Sequence, residues 1–345
     1  MRNSDDIWGK VEAHEGDYIA LANQVFDTPE VAYTEAKSCA AHLAQLQAEG
    51  ARISENLADI PTAVMGEWGH AGPVIAILGE YDALPALGQE PGIAEPRPLG
   101  YAGHGCGHNL LGSAAMLAAV ALRDWLAETG RPGRVRYYGC PAEEGGAAKA
   151  FMVRAGLFGD VDAAITWHPG DYTGLMAPVA LANMRIDFTF HGRAAHAAGS
   201  PELGRSALDA VELMNVGVNY MREHMPDDAR VHYAYLDAGG EAPNVVQSRA
   251  TVRQLIRSRN NMGLRDLVAR VRKIGEGAAL MTETRVETKV VSAVSSMLSS
   301  PVLERAMEAQ ILAIGAPEFD DEDRAFAAAI RTTLTPEHIA DTFWR

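Results

Sequence analysis

The chain has 345 residues, 48% of them apolar, and carries 45 acidic against 30 basic side chains, a formal net charge of −15. That length allows two domains with sizeable cores, while the acidic balance argues against nucleic acid or an anionic membrane as a partner, since either needs a basic face. The three cysteines, Cys39, Cys106 and Cys140, are too few and scattered for a disulfide framework. The N-terminus has no basic segment leading into an apolar one, so the expected setting is cytoplasmic with reduced thiols.

In chain order, "PEVAYTEAKSCAAHLAQLQAEG" (29–50) has apolar residues at helical spacing and a glycine stop, predicting an amphipathic helix. "PVIAILGEYDALP" (73–85) predicts a buried strand that runs into an acidic, proline-closed turn. "LLGSAAMLAAVALRDWLAETG" (110–130) predicts a core helix, and its apolar run Leu110 to Leu122 is too short to span a bilayer. "GRVRYYGCPAEEGG" (133–146) and "DAAITWHPG" (162–170) predict two further strands. This alternation is that of an α/β sheet with helices on its faces, and its ligand-capable side chains sit at the carboxyl ends of strands, where such sheets place their sites.

From Met184 the pattern changes to strand (184–192), helix (206–225), strand (229–239), strand (250–258), helix (263–281) and strand (284–294). This βαββαβ order predicts a ferredoxin-like α+β module inserted into the first domain. The expected division is 1–183 with 296–345 for the first domain and 184–295 for the insert. Helical text returns at 300–315, followed by an acidic, loop-like stretch and the short helical segment "TPEHIADTFWR" (335–345).

The chemistry-bearing residues cluster in the first domain. Cys106 and His108 lie two apart in the glycine-rich "GHGCGHN", a spacing that lets a thiolate and an imidazole turn toward one ion. Taken alone, the pair fits a buried cysteine and a polar loop as well. The adjacent Glu143 and Glu144 follow a strand; one can neutralise a metal while the other takes a proton from water, although a bare acidic pair is also an ordinary solvated turn. His168 in "TWHPG" stands at a strand end, a place that ordinary core or surface histidines also occupy. Together, Cys106, His108, Glu144 and His168 give four ligand-type residues at strand ends of one domain, the convergence that a metal site demands. Sulfur and imidazole favour zinc, and manganese or cobalt would also be held.

The motifs "GEYDALP", "GHGCGHNLLG", "YGCPAEEGG", "TWHPGD", "GRAAHAAGSPELGRSALDA" and "GGEAPNVVQSRA", in this order, resemble the metallopeptidase family 20 amidohydrolases, over nearly the whole chain from Pro29 onward. Within that family they are most similar to the branch of p-aminobenzoyl-glutamate hydrolase subunits, the B type in particular, and indole-acetyl-amino-acid hydrolases. The resemblance implies a mixed-sheet zinc-peptidase-like catalytic domain and a dimerisation or lid role for the insert. It implies Cys106, His108, Glu144 and His168 as ligands of one or two divalent ions, zinc or manganese, and Glu143 as general base. Asp82 takes the position whose carboxylate supports the metal site. His196 matches a histidine that reaches a neighbouring subunit's site to stabilise the oxyanion, Asn244 a substrate-contacting asparagine, and Arg257 sits near the matching arginine. The bland alternatives for these three are a glycine-rich turn, a turn cap and a solvated strand residue.

The implied activity is hydrolysis of the amide bond of an N-acyl or N-aroyl amino acid, p-aminobenzoyl-glutamate-like, in a homodimer or in a hetero-oligomer with a related subunit. The family runs on past the insert and supplies one more histidine ligand, whereas the only histidine here beyond the insert, His338, matches no ligand motif. The chain is therefore expected to be truncated, or completed by another polypeptide. A second reading stays open: an inactive or weakly active member that serves in assembly or regulation.

Overall fold

The computed structural model describes residues 3–170, 172–175 and 181–341. Asp171 of the "TWHPGD" motif and residues 342–345 of the last helical segment lie outside them. The chain divides into two compact units, Met1–Leu175 with Pro301–Arg345, and Met176–Ser300.

In the first unit, a five-stranded sheet has the order β1-β2-β4-β3-β5, built from β1 (Arg52–Ser54), β2 (Val64–Trp68), β3 (Val74–Glu80), β4 (Arg134–Cys140) and β5 (Ala163–Ile165). β3 runs parallel to β4 and β5, while β1 and β2 are antiparallel additions, so the sheet is mixed. One face is covered by α1 (Asn3–Phe26), α2 (Ala36–Ala48) and α3 (His108–Thr129), through Leu21, Val25, Leu46, Met116 and Val120. A second cluster, with Tyr138, Met152, Leu57 and Ile60, includes α4 (Ala148–Arg154). Burial on both sides explains why β4 reads as a continuous run rather than an alternating one. By length and composition alone α3 could cross a membrane; here it packs on β3 and β4 and buries Leu111, Met116 and Val120.

Charges stitch the antiparallel side together. The strand register sets Arg52 opposite Glu67 and Glu67 opposite Arg136, and Arg136 also grips Asp160 with both terminal nitrogens, at 2.6 and 2.7 Å. Burial alone would raise the Glu67 carboxyl, but the ion pairs with Arg136 and Arg52 outweigh it and hold it below its ordinary 4.5. A depressed carboxyl contributes stability that is present above its unfolded value and lost as pH falls through its folded one. Glu67→Gln is accordingly expected to flatten the loss of stability below about pH 4.5, measured by urea unfolding; parallel acid limbs for variant and wild type would contradict this.

The second unit has a four-stranded antiparallel sheet in the order β7-β8-β6-β9, with β6 (Ala182–His191), β7 (Arg230–Asp237), β8 (Arg249–Ser258) and β9 (Arg285–Val294). Helices α5 (Ala207–Arg222) and α6 (Asn261–Met281) cover one face, burying Phe188, Phe190, Val211, Met214, Val252, Ile256 and Val271. The element order is the βαββαβ expected from period-two strands and 3.6-period helices, and this strand order is that of a ferredoxin-like module.

Other expectations need correction. The helix expected over 29–50 begins only at Ala36, because Tyr33 takes a left-handed φ of 65° and the chain turns there. The Glu30 carboxylate then caps the helix by accepting the amides of Lys37 and Ser38. The acidic stretch expected to be a loop contains α8 (Asp321–Arg331), opened by a capping box in which Asp320 and Asp323 each bond the other's backbone amide. It lies between α7 (Pro301–Ile314) and α9 (Pro336–Asp341).

Candidate metal centre

The site is assembled at the carboxyl ends of β3, β4 and β5. β3 ends at Glu80 and leads into Asp82; β4 leads into the loop of Glu143 and Glu144; β5 leads to His168. The fourth piece, the loop before α3, is stapled to the turn after β3 by reciprocal hydrogen bonds between Leu84 and Gly103, both 3.0 Å. Gly107 closes this loop with φ 75°, and a Cβ there would meet Pro169 at 2.9 Å, so glycine lets Cys106 approach His168. Gly112 does the same for the helix: its missing Cβ would fall 2.4 Å from the Glu80 carbonyl oxygen.

His108 is fully buried, and its Nδ1 is held 3.0 Å from both the backbone oxygen and Oδ1 of Asp82. Its Nδ1 carries the proton toward that oxygen pair, which leaves Nε2 as the atom facing the site. His168 is fixed in the same sense: Nδ1 donates to the Pro169 carbonyl at 2.9 Å, and Nε2 lies 3.0 Å from Cys106 Sγ. The two rings meet edge to face, 5.9 Å between centroids. Ligand atoms of Cys106, His108 and His168 all lie within 4.8 Å of one another. The charge of Glu144 acts on the Cys106 thiol, and its backbone amide donates to Asp82 Oδ2 at 2.9 Å.

A second set overlaps the first. Glu80 Oε2 is 3.1 Å and Glu143 Oε2 3.9 Å from His108 Nε2, and these three groups likewise lie within 4.8 Å. Lys149 of α4 donates to the other Glu80 oxygen. His108 Nε2 and Glu80 Oε2 are buried without a well-directed hydrogen bond, although only 3.1 Å apart; close approach without direction is what two ligand atoms show when they face a common point. Sequence reasoning misses Glu80. The available signal is its spacing of two from Asp82, which keeps both on one side of an extended chain.

Electrostatics point the same way. Burial and then the neighbouring Glu144 push the Cys106 thiol up to about 12, so without a cation it stays protonated. Burial and Glu80 raise the Glu143 carboxyl. Burial alone would lower His108, yet Asp82 and Glu80 together raise it; burial alone would raise Asp82, yet the bonds from His108 and the Glu144 amide hold it low. Such an excess of negative groups around two imidazole Nε2 atoms fits a divalent cation. The site is closed on the Asp82 and His108 side and open where His168 is exposed and Glu143 is 41% exposed.

The remaining expected residues stand in the second unit. His196 accepts the amides of Ala198 and Gly199 at Nδ1, 3.2 and 2.9 Å, which leaves Nε2 to carry the proton. It bridges to Val245, and the neighbouring Ala197 amide bonds the Asn244 carbonyl at 3.0 Å, so His196 and Asn244 stand exposed on two paired segments. Arg257 lies on β8, in register with Asn183 of β6 and Arg230 of β7.

Residues 76–323 match the sequence profile of Peptidase family M20/M25/M40. The chain is 50% identical over 328 residues to the B-type subunit of p-aminobenzoyl-glutamate hydrolase from Escherichia coli K12, covering 94% of this chain and 68% of that protein. It is 31% identical over 280 residues to mouse Xaa-Arg dipeptidase, covering 78% of this chain and 61% of that one. The chain thus spans about two thirds of the length of these relatives. Among solved structures, an aminobenzoyl-glutamate utilization protein from Klebsiella pneumoniae superimposes with a TM-score of 0.69 at 20% identity, over 93% of this chain and 89% of that one. The YXEP protein of Bacillus subtilis, a dinuclear metal-binding peptidase of the M20 family, does so with 0.56 at 20% identity, over 90% and 86%.

Proposed function

The chain belongs to peptidase family M20/M25/M40, a family of amide-bond hydrolases, and we propose that it is a metal-dependent amidohydrolase acting on N-aroyl or N-acyl amino acids of the p-aminobenzoyl-glutamate kind. One observation carries this: two imidazoles, each with Nδ1 already committed to an oxygen, turn Nε2 to the same place as the Cys106 thiol, with Glu143 3.9 Å from one of them. Cys106, His108, Glu144 and His168 would hold the ion, zinc or manganese. When bound, it supplies Lewis acidity, polarising the scissile carbonyl and acidifying water.

The rest falls to the chain. Glu143, raised by burial and by Glu80, is suited to accept the proton of the attacking water and return it to the leaving amine. Asp82 fixes the His108 tautomer and ring. His196, with its proton on Nε2, is a donor for the developing oxyanion in a neighbouring subunit's site, Asn244 and Arg257 are polar contacts for the substrate, and the second unit serves as lid and dimerisation domain. The substrate class rests on likeness to the E. coli B-type chain, and the same likeness supports a hetero-oligomer with an A-type partner, with a homodimer as the alternative assembly.

The test is release of glutamate from p-aminobenzoyl-glutamate by the chelated and the zinc- or manganese-reloaded protein, alone and with an A-type partner. Hydrolysis that disappears on chelation and returns with metal is expected. A folded, metal-loaded protein inert toward N-acyl and N-aroyl glutamates in both settings would overturn the reading and leave a role in assembly.

A further inference from the structure

The loop that carries the two glutamates, residues 141–147, is held from outside by a turn far away in sequence. Ala142 and Ala147 both have φ 54°, a left-handed conformation that alanine adopts only when its surroundings impose it. Three groups grip this loop. Glu35, fully buried, accepts the Ala142 amide at 2.8 Å with Oε1; the same oxygen accepts the Tyr33 amide at 2.8 Å, and Oε2 accepts the Thr62 hydroxyl at 3.0 Å. The Tyr33 hydroxyl donates to the Gly146 carbonyl at 2.9 Å, and its ring occupies the space a Gly146 Cβ would take, 2.1 Å from Cε2. The third grip is Asp82 on the Glu144 amide. Tyr33 itself takes φ 65°, so the clamp is built from a turn as constrained as the loop it holds.

We propose that Glu35, seconded by Tyr33, is a positioning residue of this enzyme: it fixes the backbone on which Glu143 and Glu144 stand, so that one carboxylate faces the ion and its neighbour faces the water. The inference rests on the roles assigned to those two glutamates above. Its partners are two amides and a hydroxyl, so glutamine can replace it: the amide oxygen accepts both N–H groups and the Thr62 oxygen accepts from the new NH2. Alanine leaves the Ala142 and Tyr33 amides without that acceptor.

The experiment compares wild type, Glu35→Ala, Glu35→Gln and Tyr33→Phe, with Leu46→Ala as a core-destabilised control. Hydrogen exchange of the 141–147 segment is read alongside kcat and KM at saturating metal, well below each Tm. Glu35→Ala should exchange this segment faster and lose about 10- to 100-fold in kcat with little change in KM. Glu35→Gln should restore both toward wild type, Tyr33→Phe should loosen the segment to a lesser degree, and Leu46→Ala should lose stability with kcat intact. The proposal is overturned if Glu35→Ala leaves exchange and kcat unchanged, if Glu35→Gln is as impaired as Glu35→Ala, or if Leu46→Ala loses as much kcat. Should Glu35→Ala not fold, the glutamine and phenylalanine variants decide. Should even the wild type hydrolyse nothing, the activity reading fails while the exchange data still judge the clamp.

Discussion

Cys106→Ser and His168→Ala are each expected to strip the divalent ion from the purified chain while leaving the fold in place. Both side chains are exposed or half-buried at the open mouth of the site, so truncating them opens no core cavity, whereas each removes one of the ligand atoms gathered within 4.8 Å. Loss of a partner that merely orients a ligand costs about 10- to 100-fold in metal affinity, so losing the ligand itself should cost at least that. The thiol adds a pH signature. Because burial and Glu144 push it up to about 12 without a cation, binding must displace its proton, and affinity should rise with pH in the wild type more steeply than in Cys106→Ser. Metal analysis after dialysis checks the first claim, and equal metal content in the three proteins would refute it.

The two adjacent glutamates should separate cleanly. Glu143→Gln keeps a neutral side chain of the same shape 3.9 Å from His108 but can no longer accept a proton, so metal content should hold while kcat falls by about 10²- to 10⁴-fold. Glu144→Gln removes the negative charge that acts on Cys106, so metal should be lost and activity with it. Retention of both metal and activity by both variants would mean that neither carboxylate has the role given to it.

Much of this site is legible in the sequence because strand ends are legible: β3, β4 and β5 stop at acidic or histidine-bearing turns, and three such stops in one sheet imply a shared edge. The second unit is legible for a related reason, since β6 and β8 alternate on a one-sided sheet and α5 and α6 carry clear apolar stripes. What escapes is whatever depends on distant partners. β1 and β2 are only three and five residues long, and pairing, of β2 with β4 and of β1 with β2, rather than their own pattern makes them strands. Glu35 sits at the foot of α2 and acts on Ala142, 107 positions away, and nothing in its neighbourhood announces that. α8 reads as an acidic loop because aspartate and glutamate fill its first turn, where the helix dipole in fact favours them.

Zinc-edge X-ray absorption on the metal-loaded chain tests the centre most directly, because Cys106 is the one sulfur donor among the proposed ligands. One sulfur scatterer at about 2.3 Å, with nitrogen and oxygen scatterers near 2.0–2.1 Å, is expected in the wild type, and the sulfur should vanish in Cys106→Ser. A zinc shell of nitrogen and oxygen alone in the wild type, unchanged by that substitution, would contradict the centre described here.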